Sequence, residues 1–140
     1  MTTTRRDLVA LAAAALVARS SPAAAAAPDD AELLLRLIAR EDEAAAAQDG
    51  IVASEERDHA AALRTLLDAL GREAPRGPAS APSKDLVALE TSLIEEYRAA
   101  VLELRDPSIL RTVGTILASH SQHRVKARIE DGLDPFTSDP

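Results

Sequence analysis

Cysteine and tryptophan are missing from this 140-residue chain, and Tyr97 and Phe136 are its only aromatic side chains. Without cysteine there is no disulfide, no thiolate metal site and no lipoprotein anchor, so any metal must bind through oxygen and nitrogen. Without rings, a core made of Leu, Ile, Val and Ala suits close-packed helices better than a β-sandwich. No segment alternates apolar and polar residues cleanly, which points to an all-α chain. Basic excess is missing too. The net charge is -7, and no basic patch with interleaved aromatics is present, which argues against a nucleic-acid surface. A Ser/His/Asp triad, a Gly-rich phosphate loop and a Rossmann fingerprint are also wanting, so hydrolase and nucleotide readings have no support. The length fits one domain.

The first residues read as an address. Arg5-Arg6 precedes a run from Leu8 to Val17 made only of Leu, Val and Ala. That run is too short to span a bilayer and suits a signal-peptide apolar region, and Ala23 to Ala27 offers Ala-x-Ala cleavage sites. Thr-Arg-Arg-x-Leu-Val resembles a twin-arginine export signal, with an ordinary Sec signal as the alternative. Residues 1–27 are therefore expected to be an export signal, and the mature protein to be exported, periplasmic or extracytoplasmic, with no membrane span. Cleavage near Ala27 removes Arg5, Arg6, Asp7 and Arg19, taking a net +2 from the total of -7 and leaving about -9.

Residues 28–132 read as an antiparallel four-helix bundle, and 133–140 as a flexible tail. The first helix begins at an Asp29 or Asp30 cap and stops at Asp49-Gly50, with Gly50 at the left-handed position after the helix end. The second runs from Ile51 or Ser54 to Leu70, closed by Gly71. A Pro/Gly-rich linker over 71–82 follows. The third helix starts at a Ser83 cap and continues to Arg105. Asp106-Pro107 restarts the chain as a fourth helix reaching Asp131.

Four polar insertions break the apolar stripes. Glu41 sits among Leu37, Ile38, Ala44 and Ala45 at three- and four-residue steps. Glu56 and His59 lie one helical turn apart, on the stripe Val52, His59, Leu63, Leu66, Leu70. Glu90 sits among Leu86, Val87, Leu93 and Ile94, and the stripe Ile109, Val113, Ile116 leads into His120 and His123. A carboxylate on a core-facing stripe is costly unless paired, protonated or metal-bound. Counted from the interhelical turns at the helical rise, all six groups fall at nearly one level. Tyr97 follows Glu90 by seven residues, as Gln48 follows Glu41.

This pattern resembles the ferritin-like four-helix domains, in particular the small exported ones of bacteria, over about residues 30 to 130. That family takes a Glu from each of two helices and Glu-x-x-His from each of the other two to hold a pair of metals. The resemblance implies Glu41 and Glu90 as single-helix carboxylates, Glu56 and Glu90 as candidate bridges, and His59 and His123 as terminal imidazoles. Tyr97 and Gln48 would stand behind these ligands, and the cofactor would be a di-iron pair or another transition metal such as Mn or Zn. Three departures stand out. His120 replaces the last bridging Glu, giving a more nitrogen-rich set that favours Zn, Fe(II), Ni or Cu. Gln48 stands where Tyr is frequent. The first hairpin ends early, leaving Val101, Leu104 and Ile109 on helices that reach about 10 Å further, so a homodimer is expected to cover them. The alternative is a metal-free bundle serving as a structural or protein-interaction module, its carboxylates paired with histidines or with Arg124. Glu55, Asp58, Asp68, Glu95, Glu96 and Glu103 read as solvated surface.

Overall fold

The structure is a computed structural model, and it describes residues 29–78, 81 and 83–137. The expected export signal lies outside the described residues. Among the described residues every regular element is a helix: α1 (Asp30–Ala47), α2 (Gly50–Ala69), α3 (Leu86–Glu103) and α4 (Pro107–Glu130). None of the four is long and apolar enough to cross a membrane.

Local chemistry sets the helix ends. Asp29 caps α1 by accepting from the Glu32 N–H at 2.8 Å, and acidic residues in the first turn suit the positive end of the helix. Asp106 does the same for α4, accepting from the N–H groups of Ser108 and Ile109, with Pro107 in the first turn where no N–H is needed. The third helix starts later than expected: Asp85, not Ser83, is its cap, accepting from Ala88 N–H at 2.9 Å. Gly71 and Gly132 follow the ends of α2 and α4 with φ of 73° and 72°, the left-handed conformation that glycine adopts without a Cβ penalty. The next amides close back onto the helix, Arg72 N–H to Leu67 C=O and Leu133 N–H to Arg128 C=O. The first hairpin turns differently. α1 stops at Ala47, Gln48 and Asp49 are extended, and Gly50, left-handed as expected with φ of 63°, opens α2 rather than closing α1.

α1 packs on α2 and α3, and α4 packs on the same two, so α1 and α4 face each other across a diagonal. Leu33, Leu34, Leu37 and Ile38 of α1 meet Leu63 and Leu67 of α2, Leu89 and Leu93 of α3, and Val113 and Ile116 of α4 in one core. Each such side chain stabilises the fold by about 1.5–3 kcal/mol relative to exposure. Leu67 fills the stripe where Leu70 was expected, and Leu70 is exposed beyond the last helical turn.

The start of α1 lies beside the α3–α4 turn: Asp30 accepts from Arg105 N–H at 3.1 Å and Asp106 N–H at 2.9 Å. Leu104 and Ile109 are consequently buried, and Val101 is half-buried against the same core. The overhang expected from the sequence does not exist, because the 48–49 turn and the 104–106 turn are at opposite ends of the bundle. These apolar residues are covered within the chain. At the other terminus, buried Arg128 donates to Asp134 C=O at 2.6 Å and to Thr137 Oγ1 at 2.9 Å, bringing the beginning of the 133–140 segment against α4.

Candidate metal centre

Each helix sends a polar side chain inward at mid-bundle. Glu41 comes from α1, Glu56 and His59 from α2, Glu90 from α3, and His120 and His123 from α4. Glu41, Glu56, Glu90 and His120 are fully buried, His123 is nearly so, and His59 is half-buried. The one-turn spacing on α2 and α4 makes adjacent residues of each pair face the same way. All six residues singled out from the sequence meet in this one place.

Glu56 is the hub. Its two oxygens lie 3.0 Å from His59 Nδ1 and 2.8 Å from His123 Nδ1, with His120 Nδ1 at 3.7 Å. His120 spans the diagonal: Nε2 is 2.9 Å from Glu41 Oε1, and Nδ1 is 3.0 Å from Glu90 Oε2. The three imidazole centroids are 5.5 to 6.1 Å apart, His120 edge-on to the other two and His59 stacked on His123.

Gln48 and Tyr97 hydrogen-bond to the buried carboxylates. Gln48 Nε2 donates to Glu90 Oε1 at 2.6 Å and to Glu56 Oε1 at 3.3 Å. The buried Tyr97 hydroxyl donates to Glu41 Oε1. Glu41 Oε2 is different: it is buried and accepts no hydrogen bond, its neighbour being His59 Nδ1 at 3.4 Å.

Electrostatics follow from this packing. Burial raises the Glu56 carboxyl, but His123 and His59 outweigh it and hold the group below the usual carboxylate range. Burial lowers His59, yet the Glu41 and Glu56 carboxylates raise it from 6.5 to about 9. His120 is likewise depressed by burial and lifted further by Glu41 and Glu90, to about 10. His123 is raised by Glu56 and Glu55 against its own burial. Tyr97 is pushed well above its ordinary value, first by burial and then by Glu41, so it remains a neutral donor.

Two of the sequence assignments change. Glu55 is not merely solvated surface: Oε2 lies 2.8 Å from His123 Nε2. No apolar-stripe signal could have found it, because it flanks the stripe rather than sitting in it. Arg124 is not the partner of the buried carboxylates. Those pair with histidines, and Arg124 lines a separate groove with Ile94, Arg98, Leu117 and Ser121.

Two overlapping donor sets result, with one ligand atom from each residue lying within 4.8 Å of the others. Glu41, Glu56, His59 and His120 form one, and Glu56, Glu90, His120 and His123 the other. The shared residues are Glu56 and His120. Glu90, expected as a bridge, belongs to only one set. The nitrogen–oxygen separations of 2.8 to 3.9 Å bracket the roughly 3.3 Å between ligands of a tetrahedral ion with bonds of about 2.0 Å. Together with the unbonded Glu41 oxygen, this donor set fits a divalent transition metal. A surface cavity of about 260 Å³ lined by Gln48, Val52, Leu86 and His123 reaches the second set from the 48–49 end.

No protein-family model, curated protein or solved structure matches the chain.

Proposed function

We propose that this protein is a ferritin-like helical bundle, exported from the cytoplasm, that binds one or two transition-metal ions between its helices. The observation that carries the reading is the pair of four-residue donor sets sharing Glu56 and His120 at the centre of the bundle. Three features support it. The donor spacing suits four-coordinate binding, and an oxygen of Glu41 is buried without a hydrogen bond. The long connection between α2 and α3 matches the one long crossover of ferritin-like bundles, whose two short hairpins run antiparallel. Three imidazoles beside three carboxylates favour Zn, Fe(II), Ni or Cu over Mg or Ca. A bound ion would supply Lewis-acid or redox chemistry. The chain's own contribution is to orient the ligands: Tyr97 fixes Glu41, and Gln48 holds Glu90 and Glu56.

Calorimetric titration of the chelator-stripped protein with Zn(II), Fe(II) and Mn(II) tests this. Saturable binding of one or two ions, abolished in Glu56→Ala/His123→Ala, is expected. Equal weak heats in parent and variant would refute it.

A second reading has its own observation: every histidine in the cluster already faces a carboxylate at 3.0 Å or less. A metal-free bundle held by this network, acting as a structural or protein-interaction module, would show no metal-dependent stability.

A further inference from the structure

The two donor sets overlap at His120, and the ring of that residue is oriented differently toward each. Nε2 faces Glu41, which belongs only to the first set, at 2.9 Å. Nδ1 faces Glu90, which belongs only to the second, at 3.0 Å, with Glu56 at 3.7 Å and His123 on the same side of the cluster. The residue is fully buried and contacts the Tyr97 ring at a centroid distance of 5.0 Å, so rotation of the imidazole is sterically restricted. A histidine that served one ion would turn one nitrogen to that ion and the other to a hydrogen-bond acceptor outside the set. Both nitrogens of His120 instead face carboxylates that are themselves candidate ligands, on opposite edges of the ring.

We propose that His120 bridges two metal ions through its two ring nitrogens, one ion held with Glu41, Glu56 and His59 and the other with Glu56, Glu90 and His123. This rests on the metal-binding reading above and goes beyond it by assigning the bridge to an imidazole. The coordination balances simply. Each ring nitrogen gives its lone pair to one ion, and both N–H protons of the metal-free imidazolium leave to solvent. The unbonded oxygen of Glu41, Oε2, lies 3.4 Å from Nδ1 of His59, another donor of the first set. The bridge fixes the spacing of the ions. Two metal–nitrogen bonds of about 2.0 Å placed across an imidazole ring put the ions about 6 Å apart, whereas paired-metal sites with direct oxygen bridges are roughly 3.5–4 Å apart.

Copper(II) is the probe, because each bound ion carries one unpaired electron. The stripped full chain is titrated with Cu(II) alone, and bound copper is compared with the doubly integrated electron paramagnetic resonance signal. The expected result is two ions per chain, a signal at least halved relative to bound copper, and a half-field transition reporting a separation of about 6 Å. In His120→Gln the remaining copper should regain its full signal. A separation of roughly 3.5–4 Å, unchanged coupling in His120→Gln, or a single ion with full signal would overturn the bridge while leaving metal binding intact. Absence of bound copper in the parent would overturn metal binding itself. The separation in the parent decides the question even if His120→Gln does not fold.

Discussion

In the metal-free protein, raising the pH should destabilise the bundle, because the buried carboxylates Glu41, Glu56 and Glu90 hold protons on its histidines. The histidines of the cluster hold protons in the folded state that they release in the unfolded chain. His59 is raised from 6.5 to about 9, and His120 to about 10, by the carboxylates around them. Between the unfolded and folded values the native state binds more protons, so stability is full below about pH 6.5 and falls as pH rises through 9 and 10. One proton of difference is worth about 1.4 kcal/mol per pH unit. From pH 7 to 9, His59 alone therefore costs about 2 kcal/mol, a sizeable share of the roughly 5–15 kcal/mol that holds a domain together. Glu56 acts in the opposite sense, its contribution being present above the usual carboxylate range and lost on acidification below it. Glu56→Gln leaves His59 and His123 without their shared carboxylate. At pH 6 it should lose about 3–5 kcal/mol, the cost of removing one partner of a buried pair, and the difference from the parent should shrink toward pH 10. Urea unfolding followed by circular dichroism from pH 6 to 10, in chelator, gives both curves. A midpoint that is flat or rises with pH in the parent would refute this reasoning.

Further outcomes follow from the same geometry. Metal at about 100 times its dissociation constant should add roughly 2.7 kcal/mol to the unfolding free energy at pH 7.5, and that gain should vanish as pH falls and protons displace the ion from the histidines; thermal melts with and without chelator measure it. Tyr97→Phe should leave the fold intact and weaken metal affinity by about 10–100-fold, through loss of the hydroxyl that fixes Glu41; unchanged affinity by calorimetry would remove Tyr97 from the ligand support. Leu63→Ala, at a fully buried position of α2 in the core, should cost about 2–5 kcal/mol by urea unfolding, without changing the number of ions bound.

The site was more legible in the sequence than the bundle around it. Glu41 and Glu90 stand out because a carboxylate with apolar neighbours at three and four residues has only one face to occupy, and that face is the core. Glu56 with His59, and His120 with His123, follow from the helical turn. What the sequence could not show is how helix ends meet in space. The 48–49 and 104–106 turns lie at opposite ends, so Asp30 reaches Arg105 and Asp106, and Leu104 and Ile109 are covered by α1 rather than exposed. Periodicity placed Leu70 on the core stripe, whereas the helix ends at Ala69 and Leu67 takes that place. Glu55 was hidden for another reason: its link to His123 crosses from α2 to α4 and leaves no mark on the periodicity of either. The shared role of His120 depends on which ring nitrogen faces which carboxylate, and no spacing rule encodes that.

The most direct test is the metal content of the protein purified without a histidine tag, beside the Glu56→Ala/His123→Ala variant. Elemental analysis is expected to find one or two equivalents of Fe, Mn, Zn or Cu in the parent and none in the variant. Substoichiometric metal in both, with thermal stability unmoved by chelator, would contradict the metal centre and leave the cluster as a buried network of histidine–carboxylate pairs.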